Sequence, residues 1–260
     1  MTNSSIPRAY DGIAPIYDDA LTPNTWMRGF LWRKYLQHFR AGDHILDVAC
    51  GTGLDALYFA QNQICVTGMD RALRMLTELK KKAATNEFQP QLNAVVADFS
   101  RMPFRQYHRF DGAISSFAGL NTTDNLTLFS QEISRLLKPG SHLFIHMLNH
   151  FCVWEWLALL GKGKWKQAKQ YTSRKEFNVS IAGVSVPHFL YSPKEMYQDY
   201  FKNDFKLYHI YGLAVLRPPS YLKGVPTWLV KPLEQLEGHV NNLPLLRSWG
   251  YFFFLDMVKR

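Results

Sequence analysis

Short apolar runs recur along the first 150 positions, and amphipathic stretches separate them. The run at 44–48 is rich in aliphatic and β-branched residues and predicts a strand that is buried on both faces. A Gly-x-Gly turn follows it, and then the apolar stretch 54–60 predicts a helix. Because strands and helices alternate in this way, the pattern predicts an α/β fold with a parallel, doubly wound sheet.

Six further runs predict the other strands of that sheet, which gives seven strands in all. These runs are 64–70, 92–99, 110–117, 141–148, 205–215 and 251–258. We expect the last run to lie antiparallel at the far side of the sheet. Between the fifth and sixth strands, residues 151–171 predict helix, and alternation over 176–191 predicts a hairpin.

The turn after the first strand carries the candidate chemistry. Gly51 and Gly53 lack a Cβ, so the backbone can turn tightly and a ligand can lie against it. A strand, a glycine turn and a helix in succession form a nucleotide-binding crevice at the carboxyl end of a sheet. Asp47 and Asp55 flank the turn and would repel a pyrophosphate. They favour a ligand that carries a cationic amine or sulfonium.

The run 47–53, with its hydrophobic-Asp-x-x-x-Gly-x-Gly pattern, resembles the first signature of class I S-adenosylmethionine (SAM)-dependent methyltransferases. Ala49 takes the place of the first glycine that many members carry. The runs 66–70, 98–104 and 136–140 resemble further motifs of the family, in the same order. The resemblance covers residues 40–150 and identifies the chain as a small-molecule methyltransferase with a Rossmann-like fold.

This resemblance implies SAM as the cofactor and gives roles to residues at the strand ends. Asp70, an acid at the end of the second strand, is placed to accept hydrogen bonds from ribose hydroxyls. Asp98 would accept from the adenine amine, and Phe99 would pack near the ring. The expected cofactor-binding residues are Tyr17, Asp47, Ala49, Gly51, Gly53, Asp70, Arg71, Asp98, Phe99 and Ser115.

The resemblance also predicts how the chain is organised. Residues 1–40 would form an N-terminal helical cap, and 41–260 the SAM-binding domain. Tyr10 and Tyr17 in the cap either line the site or pack a loose helix onto the domain. Insertions at about 151–195 and 213–248 are aromatic and irregular. In this family such insertions lie on the crevice side, so we expect them to form a lid over the acceptor.

We predict three catalytic residues on the acceptor side, His150, His188 and Asn149, with His146 as a further candidate. His150 follows the fifth strand and His188 lies in the predicted hairpin, so each is a candidate base, as is His146. Asn149 is a candidate for orienting the acceptor. A base is needed only where the acceptor loses a proton, because transfer from a sulfonium depends mainly on alignment. The sequence shows no metal-ligand spacing, and we expect no metal.

The charge pattern leaves two classes of acceptor open. The formal net charge is +9, and residues 162–175 contain six basic side chains without an acid. We expect a small, aromatic or apolar acceptor, methylated on oxygen, nitrogen or carbon. The alternative is a macromolecule (RNA, protein or lipid) tethered by the basic segment. Nucleic acid is disfavoured because residues 115–118 lack the Asn/Asp-Pro-Pro-aromatic sequence of amino-methylases.

The cysteines and the apolar regions bear on location. Cys50, Cys65 and Cys152 are odd in number and widely spaced, which favours reduced thiols and a cytoplasmic protein. The longest apolar region is interrupted by polar residues and predicts no membrane span. Peripheral contact of the protein with an anionic membrane surface is compatible with the sequence. The sequence does not determine the oligomeric state.

Overall fold

The structure, a computed structural model, describes residues 5–105, 110–181, 184–222 and 226–260. Within these residues seven strands form one sheet, and two others pair as a separate hairpin. The strands are β1 (His44–Val48), β2 (Cys65–Asp70), β3 (Leu92–Val96), β4 (Phe110–Ser115), β5 (Leu137–Leu148), β6 (Glu176–Ile181), β7 (Val184–Phe189), β8 (Phe205–Leu213) and β9 (Phe252–Lys259).

Helices precede the sheet, alternate with its strands and fill the two predicted insertions. In the described residues the α-helices are α1 (Ser5–Ile13), α2 (Tyr17–Leu21), α3 (Thr25–Tyr35), α4 (Leu54–Gln61), α5 (Leu73–Thr85), α6 (Thr127–Leu136), α7 (Val153–Gly161), α8 (Trp165–Tyr171), α9 (Pro193–Met196) and α10 (Thr227–Val240).

The strand order is β3-β2-β1-β4-β5-β9-β8, which confirms the predicted mostly parallel, seven-stranded sheet. Strands β1 to β5 run parallel, and β9 is antiparallel to both β5 and β8. The chain moves outward from β1 to β3 and then returns to β4 beside β1. Such a reversal opens a crevice at the carboxyl ends of the two central strands, where α/β proteins bind their ligands.

Both faces of the sheet are buried, as the continuous apolar runs predicted. Along β1, Leu46 and Val48 join a core that includes Phe129 and Ile133 of α6. Ile45 points to the opposite face and joins a second core, with residues of α3 and α4. Burial of successive residues on alternate faces is what a two-sided parallel sheet requires.

Three differences from the prediction involve more than one or two residues at a strand end. β3 ends at Val96, because the chain turns back and Asp98 bridges Arg101. β5 begins at Leu137 rather than at 141, since an irregularity in its register with β4 accommodates the predicted Pro-Gly turn within the strand. The stretch 216–247, expected to be irregular, contains α10, which continues through Pro232.

The antiparallel pairing of β6 with β7 confirms the hairpin that was predicted from the alternation over 176–191. Its expected turn, at 182–183, lies outside the described residues. No helix in the described part of the chain has the length and apolarity needed to cross a membrane.

Candidate functional site

Three cavities meet at the carboxyl ends of β1 and β4. We call them the first, second and third cavity. Their volumes, which include space open to solvent, are about 620, 320 and 1110 Å³. Tyr17 and Phe117 line all three. Ligands in the three cavities would therefore be neighbours across these two aromatic rings.

The first cavity presents the carboxylate of Asp70, at the end of β2. Its Oδ2 accepts a 2.9 Å hydrogen bond from the backbone N–H of Gly51, and its Oδ1 accepts one of 2.8 Å from Ala72. Burial raises the pKa of Asp70, and these backbone donors oppose the rise. Each carboxylate oxygen keeps a further lone pair. The group can therefore accept hydrogen bonds from the hydroxyls of a ligand.

Apolar side chains line much of the remaining wall of the first cavity. Met69 and Met75 come from β2 and α5, and Ala97 and Phe99 follow β3. Thioethers and aromatic rings pack favourably against a flat ring system. This part of the cavity is suited to a heteroaromatic base.

Asp98, the predicted acceptor for an adenine amine, is not among the residues that line the first cavity. Its Oδ1 accepts hydrogen bonds from the backbone N–H and the hydroxyl of Ser100, at 2.8 and 2.6 Å. Its Oδ2 lies 3.3 Å from Nε of Arg71, which does line the cavity. Asp98 therefore fixes the turn after β3 and holds Arg71 in place.

The second cavity contains a buried carboxylate without a partner. Asp47 is 1% exposed, and its Oδ2 has no hydrogen-bond partner among the described residues. Burial and the nearby Asp55 raise the pKa of Asp47. Asp55 is itself paired, since it lies 2.5 Å from Arg28 and accepts a 2.7 Å hydrogen bond from Trp32. An orphaned buried carboxylate beside a cavity suits a cationic ligand.

Strained backbone surrounds these cavities. Four non-glycine residues on their walls have positive φ: Ala49 at 57°, Phe117 at 52°, Ala118 at 66° and Ala214 at 58°. Such conformations cost energy in L-residues and cluster at functional sites. The loop after β4 also approaches the turn after β1 closely, because a Cβ on Gly119 would lie 2.4 Å from that of Ala49.

Two predicted cofactor residues, Gly53 and Ser115, line none of the three cavities. Gly53 has a φ of 79°, and a Cβ there would lie 2.5 Å from the Leu79 side chain. Its role is to let α4 begin against α5. Ser115 is buried within β4, and it is Ser116 that faces the first two cavities. Ser116 shares a 2.9 Å hydrogen bond with the hydroxyl of Tyr35.

The N-terminal segment closes over the glycine turn. Tyr10 and Tyr17 line the first cavity with their rings 6.1 Å apart, and burial raises the pKa of Tyr17 to about 12. Asp18 anchors the segment, because its carboxylate accepts a hydrogen bond from Thr52 and lies 2.7 Å from Lys82. Of the two predicted arrangements, the structure has these tyrosines on the cavity wall.

The third cavity is the largest, and its wall is mainly apolar. Arg217 is the one charged side chain among the described residues that line it, and it lies 3.1 Å from Glu234 and over the Trp26 ring. Both predicted insertions contribute to the wall. Its lining residues are Tyr17, Asn24, Trp26, Met27, Phe117, Ala118, Leu148, Val179, Ser180, Ala214, Arg217, Pro219, Ser220, Tyr221, Tyr251 and Phe252.

The two insertions brace each other through Glu155 of α7. Its carboxylate accepts hydrogen bonds from the hydroxyls of Tyr171, in the first insertion, and Tyr221, in the second. Trp154 adds a 2.9 Å bond from its indole N–H to the backbone carbonyl of Val215. These contacts hold the wall of the third cavity from outside.

A second buried carboxylate organises the wall segment after β8. Glu237 of α10 accepts hydrogen bonds of 2.8, 2.8 and 2.9 Å from the backbone N–H groups of Val215, Leu216 and Arg217. Burial raises the pKa of Glu237, while these three donors favour its charged form. The bonds fix the backbone from which Arg217 reaches the third cavity.

The three predicted catalytic residues do not line these cavities. The amide of Asn149 donates to the backbone carbonyls of Ser248 and Gly250, at 2.8 and 3.0 Å. His188 is buried, and its Nδ1 lies 3.0 Å from a backbone carbonyl of its own strand. His150 lies 3.2 Å from the Asn149 side chain, and burial lowers its pKa. Asn149 therefore joins the end of β5 to the segment before β9, whereas the hydrogen bond of His188 stays within β7.

His146 lies behind the wall of the third cavity. Its Nδ1 accepts a 3.2 Å hydrogen bond from the backbone N–H of Phe117, and its ring stacks on Phe252. Burial lowers the pKa of His146 to about 3, so the ring is neutral at physiological pH. The side chain supports the strained loop after β4.

Arg28 and Phe117 are site residues that the sequence analysis did not single out. The guanidinium of Arg28 lies over the Phe117 ring, 4.2 Å from its centroid, and beside Asp55 in the second cavity. The sequence contained a signal for Arg28. Arg28 falls within the buried face of α3, next to Met27 and one turn before Leu31. A lone arginine on an apolar helix face needs a buried partner.

Comparisons with known proteins agree with this geometry. A family model described as a methyltransferase domain matches residues 45–140. A relative in Methanocaldococcus jannaschii, an uncharacterized protein, is 28% identical over 86% of this chain and 88% of its own. The 2-phytyl-1,4-naphthoquinone methyltransferase of a Nostoc species is 31% identical over 54% of this chain. The chain spans 63% of that enzyme's length.

Among solved structures, a SAM-dependent methyltransferase from Clostridium acetobutylicum superposes with a TM-score of 0.60. It covers 96% of this chain and 98% of its own, at 14% identity, which shows a shared fold. The family match covers the glycine turn, Asp70 and β4, which build the first two cavities. These findings confirm the predicted resemblance to class I SAM-dependent methyltransferases, with a methyltransferase domain over residues 45–140.

Proposed function

We propose that this protein transfers the methyl group of SAM to a small, apolar, ring-containing acceptor in the third cavity. One observation carries the proposal: the apolar third cavity meets the first two, whose walls include the carboxylates of Asp70 and Asp47, at Tyr17 and Phe117. A cofactor in the first two cavities would present its reactive centre to the third. The relative that methylates a phytyl-naphthoquinone supports an acceptor of this class.

The residues of the first two cavities fit SAM. Asp70 would accept from the ribose hydroxyls, and Phe99 would lie against adenine. The orphaned carboxylate of Asp47 would receive the methionine ammonium, which gives this buried charge its missing partner. When bound, SAM supplies an electrophilic methyl group. The protein therefore has to align the acceptor and exclude water, which is worth about 7–11 kcal/mol in well-oriented reactions.

The wall of the third cavity favours an acceptor that ionises readily. Its described residues include no histidine, aspartate or glutamate to act as a base. Burial lowers the pKa of Arg217, while Glu234, 3.1 Å from its Nε, favours the charged form. A phenol or reduced quinone would lose its proton to solvent and present its oxyanion to Arg217. The acceptor would then take the methyl group on oxygen or on an adjacent ring carbon, with S-adenosylhomocysteine as the leaving group, and a methylated ring carbon would lose its own proton to solvent.

The test is transfer of label from methyl-labelled SAM to a panel of acceptors. We expect labelling of 1,4-naphthoquinol and simple phenols, and none of RNA or protein. Arg217→Leu should lower turnover while leaving the affinity for S-adenosylhomocysteine unchanged, and Arg217→Lys should restore part of the rate. Unchanged turnover in Arg217→Leu would refute the role of this side chain. Failure to bind S-adenosylhomocysteine would refute the cofactor site itself.

A second candidate is an acceptor presented by a lipid surface, and the exposed face of the insertions favours it. No residue of α7 is buried, and large apolar side chains are exposed across both insertions. Four lysines between 162 and 169 are exposed beside them. The exposed apolar residues in this region are Leu157, Trp165, Tyr221, Trp228, Leu236, Leu243, Leu245 and Trp249.

Cosedimentation with vesicles tests this second candidate. We expect binding to vesicles that contain phosphatidylglycerol and not to pure phosphatidylcholine, with loss of binding at high salt. Trp165→Ser combined with Lys166→Glu should weaken binding without changing the affinity for S-adenosylhomocysteine. Equal sedimentation with neutral and anionic vesicles would exclude an electrostatic tether.

A further inference from the structure

Three histidines surround one buried carboxylate on the α3 side of the sheet, away from the three cavities. Asp256 of β9 is 3% exposed. Its Oδ1 lies 2.6 Å from Nδ1 of His142, near the start of β5. Its Oδ2 lies 3.8 Å from Nε2 of His38, just beyond α3, and 3.8 Å from Nδ1 of His209 in β8. Four separate segments therefore converge on one carboxylate.

The charge of Asp256 is not balanced by a permanent cation. Among the described residues, no lysine or arginine lies within ion-pair distance of it. A buried carboxylate of this kind requires a positive partner. Burial, and then the neighbouring His142, lower the pKa of His38, which opposes accumulation of charge on the imidazoles. The cluster thus groups three imidazoles around one carboxylate.

Such a group is a ligand set for a divalent transition ion. The ligating atoms of His38, His142 and Asp256 all lie within 4.8 Å of one another. Donors bound to zinc at about 2.0–2.2 Å lie roughly 3.4 Å apart in a tetrahedron, so small side-chain movements would complete the geometry. His209 is half-exposed and can supply a fourth ligand or leave that position to water.

The surroundings are compatible with a bound ion. The nearest lysine, Lys34, has its ammonium 4.7 Å from the centre of the Tyr211 ring, although its charge also acts on His38. The Tyr208 ring packs edge-on against both His38 and His142. No short spacing links positions 38, 142 and 256, which is why the sequence predicted no metal.

We propose that His38, His142 and Asp256, with His209 beside them, form a binding site for a zinc-class divalent ion. Imidazole and carboxylate ligands together suit such ions. Binding through Nδ1 of His142 would require the proton between this nitrogen and Asp256 to move to the other ring nitrogen or to solvent, since a coordinating nitrogen must be deprotonated. The ion would tie the end of α3 to β5 and β9. The start of α3 carries Met27 and Arg28, which line the cavities, so the ion would brace this wall.

The test uses the full chain, stripped with a chelator and titrated with Zn²⁺ or Co²⁺. We expect one ion per chain and, for Co²⁺, the visible absorption of a nitrogen-ligated site. Because even outer-sphere changes alter metal affinity by about 10–100-fold, His38→Ala and His142→Ala should each weaken binding more than tenfold. His239→Ala removes an exposed imidazole outside the cluster and should change nothing.

Thermal unfolding gives a readout that does not depend on activity. Zn²⁺ should raise the Tm of the wild-type chain and of His239→Ala, and have little effect on His142→Ala. If His142→Ala fails to fold, His209→Ala, at a half-exposed position, should bind with reduced affinity. Absence of a saturable site would overturn the proposal. So would a site whose affinity is unchanged by the loss of His38 or His142, or a cluster that responds only to pH.

Discussion

The first and third cavities share two aromatic residues but are built differently. The first is defined by backbone: N–H groups of Gly51 and Ala72 hold the Asp70 carboxylate, and Ala49 is held at positive φ. The third is defined by side chains from segments between 17 and 252 in the sequence. We call the first two cavities the cofactor half and the third cavity the acceptor half. We infer that the cofactor half tolerates few substitutions, whereas the shape of the acceptor half can be changed one side chain at a time.

Arg28 is the side chain whose loss should affect the molecule most, because it contacts both halves. Breaking a buried ion pair leaves an uncompensated charge and costs about 3–5 kcal/mol. Arg28→Met should therefore lower the free energy of unfolding by about that amount, measured in urea. Lys81→Met removes an exposed pair with Glu78, which is worth only about 0.3–0.5 kcal/mol. Equal destabilisation of both variants would contradict the importance of the buried pair.

Asp70→Ala should act on the cofactor half alone. Hydrogen bonds to a charged group contribute about 1.5–3 kcal/mol, so the affinity for SAM should fall about 10- to 100-fold in a calorimetric titration. Asp204→Ala is the matched control, since this acid pairs with Lys259 and lines none of the three cavities. The contrast would fail if Asp204→Ala weakened binding as much as Asp70→Ala.

Asp47→Asn should stabilise the free protein and weaken its affinity for SAM. The pKa of Asp47 is raised by burial, so its charged form destabilises the fold at neutral pH. The variant should gain about 1–3 kcal/mol at pH 7. This advantage should shrink as the pH falls through the folded pKa, because the wild-type carboxyl then becomes protonated. Unfolding curves of the wild type and the variant across pH 5–8 give the difference in their free energies of unfolding. A difference that does not change with pH would argue against the raised pKa of Asp47.

Val179→Trp should act on the acceptor half alone. A larger side chain on the hairpin would fill part of the third cavity and displace the acceptor, and such misplacement can cost about 100-fold in rate. We expect at least about a tenfold loss in kcat/KM for the acceptor, with the Kd of S-adenosylhomocysteine unchanged. Val179→Ala is the size control and should retain most activity. A parallel loss of cofactor affinity would mean that the two halves are not separable.

The sheet could be predicted because its signals are local. Each strand is a short apolar run, and Asp70 and Gly51 fall at fixed places relative to the runs. The third cavity could not be predicted, because Trp26, Val179 and Tyr251 come together only through the packing of both insertions. His150 and His188 looked suitable by position, yet which way a side chain faces depends on hairpin packing that no local spacing encodes.

The close approach of Gly119 to Ala49 has an evolutionary consequence. The space between the two loops admits one methyl group, since a Cβ at both positions would leave 2.4 Å between them. A lineage with glycine at position 49 would be free to carry alanine at 119, whereas this chain is not. The two sites are therefore epistatic, and divergence of the glycine turn should proceed through compensating pairs rather than through independent substitutions.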